Sequence, residues 1–464
     1  MNVIWITADT FRRDQIGAYG NDVIHTPVLD ALAARGTRFD NHYACGFPTM
    51  PTRADHHTGQ WTMSFMGWDA LPDDTITLSQ ILGDQGVHTA AVIDTPFYTR
   101  GGMNYDRGFQ SYFAILGQEG SGTRAAQIGH HESRDVVADW RKEADRCAAR
   151  TMTQAGDWLE KHYKEEFFLY IDTWDPHEPW DPPAYYAELY QPDYDGSIIQ
   201  PPYAYWHETD HLTERDLETA FACYRGEITM VDTWIGYLLR KVQNMGIQDD
   251  TAIIFTTDHG FYFGEHGGYL GKMHFGRRPN GQRYFHGDPD SIWDFSPLYE
   301  ELVHIPLLIH VPGVAPGSYD GFSAALDVMP TVLEIMGREI PSHVQGQSLL
   351  SGMRDAKHPS ARDFAISTIP FVNTDDTIRS VDNVERSMSA SQVTTVTSGD
   401  YSFLYSMDPG RSQLFHLPTD PGQQTNIISA NMDTAKDIHQ LLLKFMRDTN
   451  VPQRLIDTRL ELKM

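Results

Sequence analysis

Residues 47–59 read FPTMPTRADHHTG and bring a hydroxyl, a proline and an arginine close together. Pro51 favours the first turn of a helix, which puts Thr49 just before a helix N-terminus, where free N–H groups attract anions. Arg53 follows four residues later and can direct two parallel N–H groups at the same anion. The segment predicts a site for a phosphate or sulfate ester, although a helix cap beside a solvated arginine explains these residues equally well.

Carboxylates and imidazoles follow three segments that are predicted to be strands. They are Asp9 after residues 2–8, Asp175 and His177 after 167–174, and Asp258 and His259 after 251–257. Ligands of open parallel sheets bind beyond the carboxyl ends of the strands, so we expect these side chains to converge. Carboxylate and imidazole ligands without thiolates suit a hard or borderline divalent ion, namely Ca²⁺, Mg²⁺, Mn²⁺ or Zn²⁺.

The sequence predicts one tightly held divalent ion. Its expected ligands are Asp9, Asp258 and His259, with Thr49 adjacent. A second ion is the weaker hypothesis, because its ligands would be closely spaced along the chain. They would be Asp175 and His177 with His274 or His286.

The elements that position these residues alternate along the chain. Strands are predicted at 2–8, 88–94, 167–174, 251–257 and 306–311, and helices at 26–36, 77–86, 217–242 and 327–337. This alternation indicates an α/β fold with a parallel sheet covered by helices on both faces. We expect a catalytic domain at 1–355 and a smaller domain at 356–464, with short strands at 400–406 and 412–417 and a helix at 434–448.

Composition restricts the class of partner. The 464 residues carry a formal charge of −27, which argues against nucleic acid or an anionic membrane as the main partner but allows a small anionic ester. Three scattered cysteines form no disulfide or metal-binding pattern. Neither an export signal nor a membrane span is visible, so we expect a cytoplasmic location. The sequence leaves a homo-oligomer open.

Several motifs, taken in order, resemble those of the sulfatase family, which belongs to the alkaline phosphatase superfamily. They include NVIWITADTFRRDQIGAYG, PTMPTRADHHTG, DPHEPWDPP, TTDHGFYFGEHG and LYEELVHIPLLIHVPG, and they run from residue 2 to about 350. The resemblance implies the alkaline phosphatase-like fold and hydrolysis of an anionic ester. A weaker likeness continues in LFHLPTDPGQQTNI at 414–427.

The resemblance also implies roles for individual residues. Asp9, Asp258 and His259 match metal ligands of the family, and Thr49 matches the nucleophile, which also touches the metal. Arg53 matches the signature arginine. His177 matches a residue that contacts the oxyanion or the leaving group, and Lys272 matches a substrate-binding lysine. We expect His177 to protonate the leaving oxygen, and Lys272 to stabilise charge on the non-bridging oxygens. Glu265 and His266 of the GEHG motif are expected to be structural.

The departures from the family pattern determine which chemistry we predict. Sulfatases convert a Cys or Ser at the signature position to formylglycine, which Thr49 cannot become, and Cys45 does not have the spacing to replace it. Thr10 stands where many members have a second metal aspartate. The GKWH motif is absent, and its region holds VIDTPFY (92–98). Residues of this segment expected near the pocket are Asp94, Thr95 and Tyr98.

We therefore predict a metal-dependent hydrolase of phosphate esters, favouring phosphodiesters or phosphonate monoesters, with Thr49 as the nucleophile. Sulfate ester hydrolysis without formylglycine is one alternative. An inactive, sulfatase-like protein that binds anions is another, and phosphoryl transfer to an alcohol is a further one. The segment 276–295, which follows Lys272, is either a surface loop or a lid that selects the substrate.

Overall fold

The structure, a computed structural model, describes residues 1–96, 101–116, 142–209, 212–282, 294–360, 362–374 and 393–463. The strands are β1 Asn2–Ala8, β2 Thr37–Phe39, β3 His42–Tyr43, β4 His88–Ile93, β5 Ser111–Ala114, β6 Phe167–Thr173, β7 Ala204–Tyr205, β8 Thr251–Thr256, β9 Tyr262–Phe263, β10 Tyr269–Gly271, β11 Leu307–His310, β12 Gly317–Tyr319, β13 Ser323–Ala324, β14 Phe364–Thr368, β15 Val393–Ser398, β16 Tyr401–Ser406 and β17 Gln413–His416. The helices are α1 Pro27–Arg35, α2 Thr49–Thr58, α3 Leu78–Asp84, α4 Cys147–His162, α5 Ala184–Ala187, α6 Glu214–Asn244, α7 Glu265–Gly268, α8 Glu300–Val303, α9 Val328–Ile335, α10 Leu350–Arg354, α11 Met432–Asp448 and α12 Gln453–Asp457.

Eight strands form one sheet in the order β12-β2-β11-β8-β1-β6-β4-β5. Its centre consists of β1, β6 and β8, which are apolar, rich in β-branched residues and buried along their whole length. Strand β1 pairs parallel to both neighbours, with Thr7 opposite Asp172 of β6 and opposite Thr256 of β8. The carboxyl ends of the three central strands therefore lie at one edge of the sheet, as predicted.

Strand β11 corrects one expectation. The sequence places 306–311 in a parallel sheet, but β11 runs antiparallel to both β8 and β2. Leu307, its first residue, pairs with Thr256, the last residue of β8. The chain thus leaves β8 and re-enters the sheet at the same edge without a crossover, and such a return must be antiparallel. The sheet is mixed but mostly parallel.

The predicted helices are present, and polar side chains define their ends. In the long helix α6, the hydroxyl of Thr213 accepts a hydrogen bond from the backbone N–H of Asp216, while Asp216 caps Thr213 in return. Further along α6, the buried carboxylate of Asp232 accepts hydrogen bonds from the N–H groups of Val28 and Leu29 at 3.1 and 2.8 Å. Asp232 thereby caps α1 from a neighbouring helix. None of the helices in the described ranges has the length and apolar character needed to cross a bilayer.

A C-terminal subdomain consists of the antiparallel sheet β14-β15-β16-β17 with α11 packed against it. The strands predicted at 400–406 and 412–417 and the helix predicted at 434–448 are all present. A second hydrophobic core joins this subdomain to Cys45, Trp61 and Met63. The boundary after residue 355 remains a prediction.

Candidate active site

Two strand ends bring together Asp9, Asp258 and His259. Each residue offers a ligand atom, and these atoms lie within 4.8 Å of one another in a fully buried group. Thr10 follows β1 with a φ of 59°, which turns its hydroxyl back to donate to Asp9 Oδ1 at 2.6 Å. The N–H of Thr10 donates to Asp258 Oδ1 at 3.0 Å, so a single residue bridges the two carboxylates.

The two carboxylates have opposite pKa shifts. Burial, followed by the charge of Asp258, raises the pKa of Asp9 well above its ordinary value, against smaller opposing effects of Arg53 and Lys272. Burial also favours the neutral form of Asp258, but Arg53 and His259 hold its pKa below the ordinary range. Burial and mutual repulsion thus disfavour ionisation of both carboxylates at once, and a bound divalent cation would relieve this repulsion.

The side chains of this group fit a divalent ion. Two carboxylates and one imidazole are ligands that hard and borderline divalent cations accept. Asp9 Oδ2 is buried and lies 3.0 Å from Arg53 Nη1. The protein therefore supplies a buried carboxylate oxygen that Arg53 and a metal ion could share.

Helix α2 positions the predicted nucleophile. The helix begins at Thr49 itself, with Pro51 in its first turn and Gly59 ending it at a φ of +62°. Thr49 Oγ1 lies 3.1 Å from His259 Nε2. Since His259 Nδ1 donates to the carbonyl of Gly260 at 2.9 Å, and burial lowers the pKa of His259 to about 3 against the effect of Asp258, Nε2 carries a lone pair. The Thr49 hydroxyl therefore donates its proton toward His259.

Arg53 does not point toward an open anion site as its position in the sequence suggests. Its Nε and Nη2 both donate to the carboxylate of Asp172 at 2.8 Å, and its Nη1 donates to Asp258 and lies 3.0 Å from Asp9. Burial opposes the charge of Arg53, but Asp172, Asp258 and Asp9 together raise its pKa well above the ordinary value. Arg53 thus organises three carboxylates.

The sequence analysis missed Asp172, because it lies within the strand segment FFLYIDT. The Asp172 side chain is completely buried and also accepts hydrogen bonds from Tyr170 and Thr95 at 2.6 and 2.5 Å. A charged residue within an otherwise apolar, buried strand is rare without a partner. That signal could have identified Asp172 as the counter-ion of Arg53.

His177 and Lys272 form a second polar pair in the described chain. Lys272 Nζ donates to His177 Nε2 at 2.8 Å. His177 Nδ1 donates a hydrogen bond to the carbonyl of Glu178 at 2.7 Å and lies 3.2 Å from the carboxylate of the same residue. The ring of His177 stacks on Trp174, and the two ring centroids are 3.7 Å apart. Burial and the Lys272 ammonium lower the pKa of His177 well below its ordinary value. Glu178 was not predicted as part of this pair, although it directly follows His177, a predicted functional residue, and that position could have identified it.

The remaining candidate residues have other contacts. Burial, and then the charge of Asp175, raise the pKa of Asp94, whose carboxylate accepts hydrogen bonds from the hydroxyl of Thr151 and the N–H of Trp174. The ring of His274 stacks on Tyr269. Asp175 and His177 belong to neither group of metal-ligand atoms found among the described residues. Tyr98 and His286 lie outside the described residues, as does part of the segment 276–295.

The residues of the GEHG motif contact other parts of the fold. Glu265 accepts from Arg12 at 2.6 Å, and His266 contacts Glu301 at 3.1 Å while stacking on Tyr299. All three cysteines are free and buried. Burial and then Asp55 raise the pKa of the Cys45 thiol well above its ordinary value, so it stays protonated.

Comparisons with known proteins agree with this fold. The arylsulfatase of Clostridium perfringens (strain 13 / Type A) is 23% identical over 486 residues, which cover 92% of this chain and 90% of the relative. The multifunctional alkaline phosphatase superfamily protein PehA of Trinickia caryophylli is 28% identical over 426 residues, which cover 77% of each chain. The crystal structure of the phosphonate monoester hydrolase of Agrobacterium radiobacter has a TM-score of 0.74 at 22% identity, covering 97% of this chain and 96% of that chain, and shows the shared fold.

A family model described as Sulfatase matches residues 1–338, which is more than half of the chain. The fold is that of alkaline phosphatase-like sulfatases, and the proteins similar to it include an arylsulfatase and a phosphonate monoester hydrolase. The chain is an ester hydrolase that belongs to the sulfatase family.

Proposed function

We propose that the protein hydrolyses phosphodiesters or phosphonate monoesters through a covalent intermediate on Thr49. The observation that carries this proposal is the Thr49 hydroxyl at the start of α2, 3.1 Å from Nε2 of His259 and therefore directly beside the proposed metal ligands. A threonine cannot be converted to formylglycine, so the hydroxyl itself must act as the nucleophile.

The charges near Thr49 favour a substrate with one negative charge. The guanidinium of Arg53 is committed to Asp172, Asp258 and Asp9. Among the predicted catalytic residues, which are Thr49, Arg53, His177 and Lys272, this leaves Lys272 as the cationic side chain that can bind the substrate. A phosphodiester, a phosphonate monoester or a sulfate monoester carries a single charge at neutral pH, whereas a phosphate monoester carries nearly two. We therefore expect phosphate monoesters to be poor substrates.

The proposed first step breaks the bond between phosphorus and the leaving oxygen. Thr49 Oγ forms a new bond to phosphorus and gives up its proton, which passes to solvent, and the leaving group departs as an alcohol with a proton supplied by Lys272. A divalent ion held by Asp9, Asp258 and His259 would supply Lewis-acid stabilisation of the developing charge. The N-terminus of α2 directs its N–H groups to the same region. Water then breaks the bond between phosphorus and Thr49 Oγ and returns a proton to the Thr49 hydroxyl. A phosphodiester thereby yields a phosphate monoester, and a phosphonate monoester yields a phosphonate.

The proton for the leaving oxygen comes from the Lys272–His177 pair in this proposal. His177 uses Nδ1 to donate to Glu178 and accepts from Lys272 at Nε2, so the mobile proton of the pair resides on Lys272. Lys272 is therefore the immediate donor, and His177 holds it in place. This assignment reverses the roles expected from the sequence, where His177 was the acid.

Sulfate ester hydrolysis is the second candidate, because the arylsulfatase of Clostridium perfringens covers almost the whole chain. Aryl phosphodiesters, phosphonate monoesters, phosphate monoesters and sulfates with the same nitrophenyl leaving group should be compared after reconstitution with Ca²⁺, Mg²⁺, Mn²⁺ or Zn²⁺. We expect the highest kcat/KM for a diester or phosphonate. A higher kcat/KM for the sulfate would replace the proposal, and no turnover with any ester would indicate an anion-binding protein.

Acid quenching during turnover provides a direct test of the intermediate. A phosphoryl group on the peptide that contains Thr49, mapped by mass spectrometry, is the expected result. If the enzyme turns over the diester but the quenched peptide carries no phosphoryl group, water attacks directly and Thr49 has another role.

A further inference from the structure

A second group of potential metal ligands lies at the opposite edge of the main sheet. His88 is the first residue of β4, His162 is the last residue of α4, and Glu165 precedes β6 by two residues. Their ligand atoms lie within 4.8 Å of one another. Strand β6 separates this edge from the Asp9 group by about 20 Å, given about 3.3 Å per residue.

Both imidazoles face the same carboxylate. His88 Nδ1 lies 2.5 Å from Glu165 Oε2, and His162 Nδ1 lies 3.0 Å from Glu165 Oε1. The buried indole of Trp158 fixes both rings, since it stacks on His162 with centroids 4.7 Å apart and meets His88 edge-on at 5.4 Å. The two nitrogens are thus oriented before any ligand binds.

We propose that His88, His162 and Glu165 bind a borderline divalent cation, with Zn²⁺ preferred. Two imidazole nitrogens and one carboxylate oxygen are an established ligand set for Zn²⁺, with water in the fourth position. Mg²⁺ and Ca²⁺ prefer oxygen ligands and should bind weakly here. The excess of acidic residues in the chain, with a formal charge of −27, further favours cation binding.

The geometry requires only a small adjustment. Ligands about 2.0–2.1 Å from a tetrahedral Zn²⁺ lie roughly 3.3 Å apart, slightly further than the present contacts between nitrogen and oxygen. The side chain of Glu165 is 48% exposed and can rotate outward, while the rings of His88 and His162 are only 22% and 23% exposed. Since His88 begins β4 while His162 and Glu165 lie three residues apart in the connection from α4 to β6, a bound ion would link this connection to the start of β4.

The test counts Zn²⁺ ions on the full chain after treatment with a chelator and equilibrium dialysis against Zn²⁺. We expect the double variant His88→Gln/His162→Gln to bind one ion fewer per chain than the wild type and to lose part of the increase in Tm that Zn²⁺ causes. A matched double variant of two exposed histidines, His25→Gln/His358→Gln, should behave as the wild type. Ester hydrolysis should be unchanged in both variants, because neither changes the proposed catalytic residues.

Two further variants separate this site from the proposed catalytic metal. Glu165→Gln keeps the size of the side chain but removes its charge, so it should weaken Zn²⁺ binding at this site roughly tenfold or more. Asp9→Asn should abolish ester hydrolysis while keeping the ion that His88 and His162 bind. Equal Zn²⁺ counts and equal Tm increases in the wild type, in Glu165→Gln and in the double histidine variant would overturn the proposal.

Discussion

At the scale of single residues, Thr49 and His259 are linked by one short contact in a buried environment. Thr49 is 1% exposed and His259 is fully buried, so bulk water does not compete for the hydroxyl proton. Electrostatic effects are strongest where water is excluded. Small changes at these positions should therefore have large effects on rate.

Substitutions at Thr49 test the nucleophile directly. Thr49→Ala should lower kcat by several orders of magnitude, because it removes the hydroxyl that we propose attacks phosphorus. Thr49→Ser should retain much of the activity, since the hydroxyl survives. Steady-state kinetics with a nitrophenyl phosphodiester measure both effects, and an unchanged melting temperature would show that the fold is intact. Wild-type activity in Thr49→Ala would exclude the covalent route.

Thr49→Cys is the most informative change at this position. It produces C-M-P-T-R, which is close to the C-x-P-x-R sequence that sulfatase-maturing enzymes recognise. Coexpression with such an enzyme should yield formylglycine and measurable sulfatase activity. Without maturation, a thiolate next to a hard metal should transfer phosphoryl groups poorly.

The Lys272–His177 pair can be tested by varying the leaving group. Lys272→Met should reduce kcat/KM for all esters and reduce it most for alkyl leaving groups, which need a proton. His177→Gln should show a smaller and more uniform loss, because it removes only the partner that positions Lys272. A plot of log kcat/KM against the pKa of the leaving group measures this difference. A steeper slope for His177→Gln than for Lys272→Met would return the acid role to His177.

At the scale of elements, helix α2 is buried at every position from Thr49 to Thr58. It contains His56 and His57, and burial lowers the pKa of both, that of His57 to about 3. Neutral histidines are therefore part of the helix that positions Thr49. Acid should destabilise this helix even where it leaves the catalytic carboxylates unchanged.

The pH dependence of unfolding tests this feature. Between pH 3 and about 6.5, His57 is neutral in the folded state but protonated in the unfolded state. The free energy of unfolding should therefore fall as the pH drops, by about 1.4 kcal/mol per pH unit for this residue. Urea unfolding at pH 7.5 and 5.0 should show a smaller difference for His57→Gln than for the wild type. If the wild type and His57→Gln lost the same stability between pH 7.5 and 5.0, the lowered pKa of His57 would be contradicted.

The loop after β8 depends on a glycine. A Cβ added at Gly260 would overlap the carbonyl oxygen of Glu301, which is backbone and cannot rotate away. Gly260→Ala should cost at least about 2 kcal/mol of stability and about a hundredfold in kcat, because His259 must move with the loop. Gly317→Ala is the matched control, since no atom lies within 4 Å of its added Cβ. Equal kcat values for the two variants would contradict the argument.

Much of this arrangement could be predicted from the sequence. Apolar segments that end in Asp9 and in Asp258 identified the strands, and the topology of parallel sheets then required their ends to meet. The direction of β11 could not be predicted, because a short apolar strand looks the same in either orientation. The contacts of Arg53 were also beyond prediction, because they depend on Asp172 in a neighbouring strand.

At the scale of the whole molecule, the C-terminal subdomain supports the segment that carries Thr49. The N–H of Phe47 donates to the carbonyl of Thr368 at 2.9 Å, and the N–H of Thr368 donates to the carbonyl of Cys45 at 2.8 Å. Leu442 of α11 belongs to the core that also contains Cys45. Folding of the subdomain and activity should therefore be coupled.

Leu442→Ala tests this coupling. The side chain is fully buried, so its truncation should cost about 2–5 kcal/mol. Activity and the hydrogen-exchange protection of β15 and β16 should then be lost at the same, lower urea concentration. Lys436→Ala, on the exposed face of α11, should change neither midpoint. Activity that persists after exchange protection is lost would show that the subdomain is independent.

The reversed direction of β11 has a consequence for how such enzymes diversify. The chain between β8 and β11 starts and ends at the sheet edge that holds Asp9, and Lys272 belongs to it. Insertions or deletions there leave the register of the sheet unchanged, and the entropic cost of a longer loop rises only slowly. A lineage can therefore exchange one leaving-group preference for another within this segment while the residues at the strand ends stay fixed.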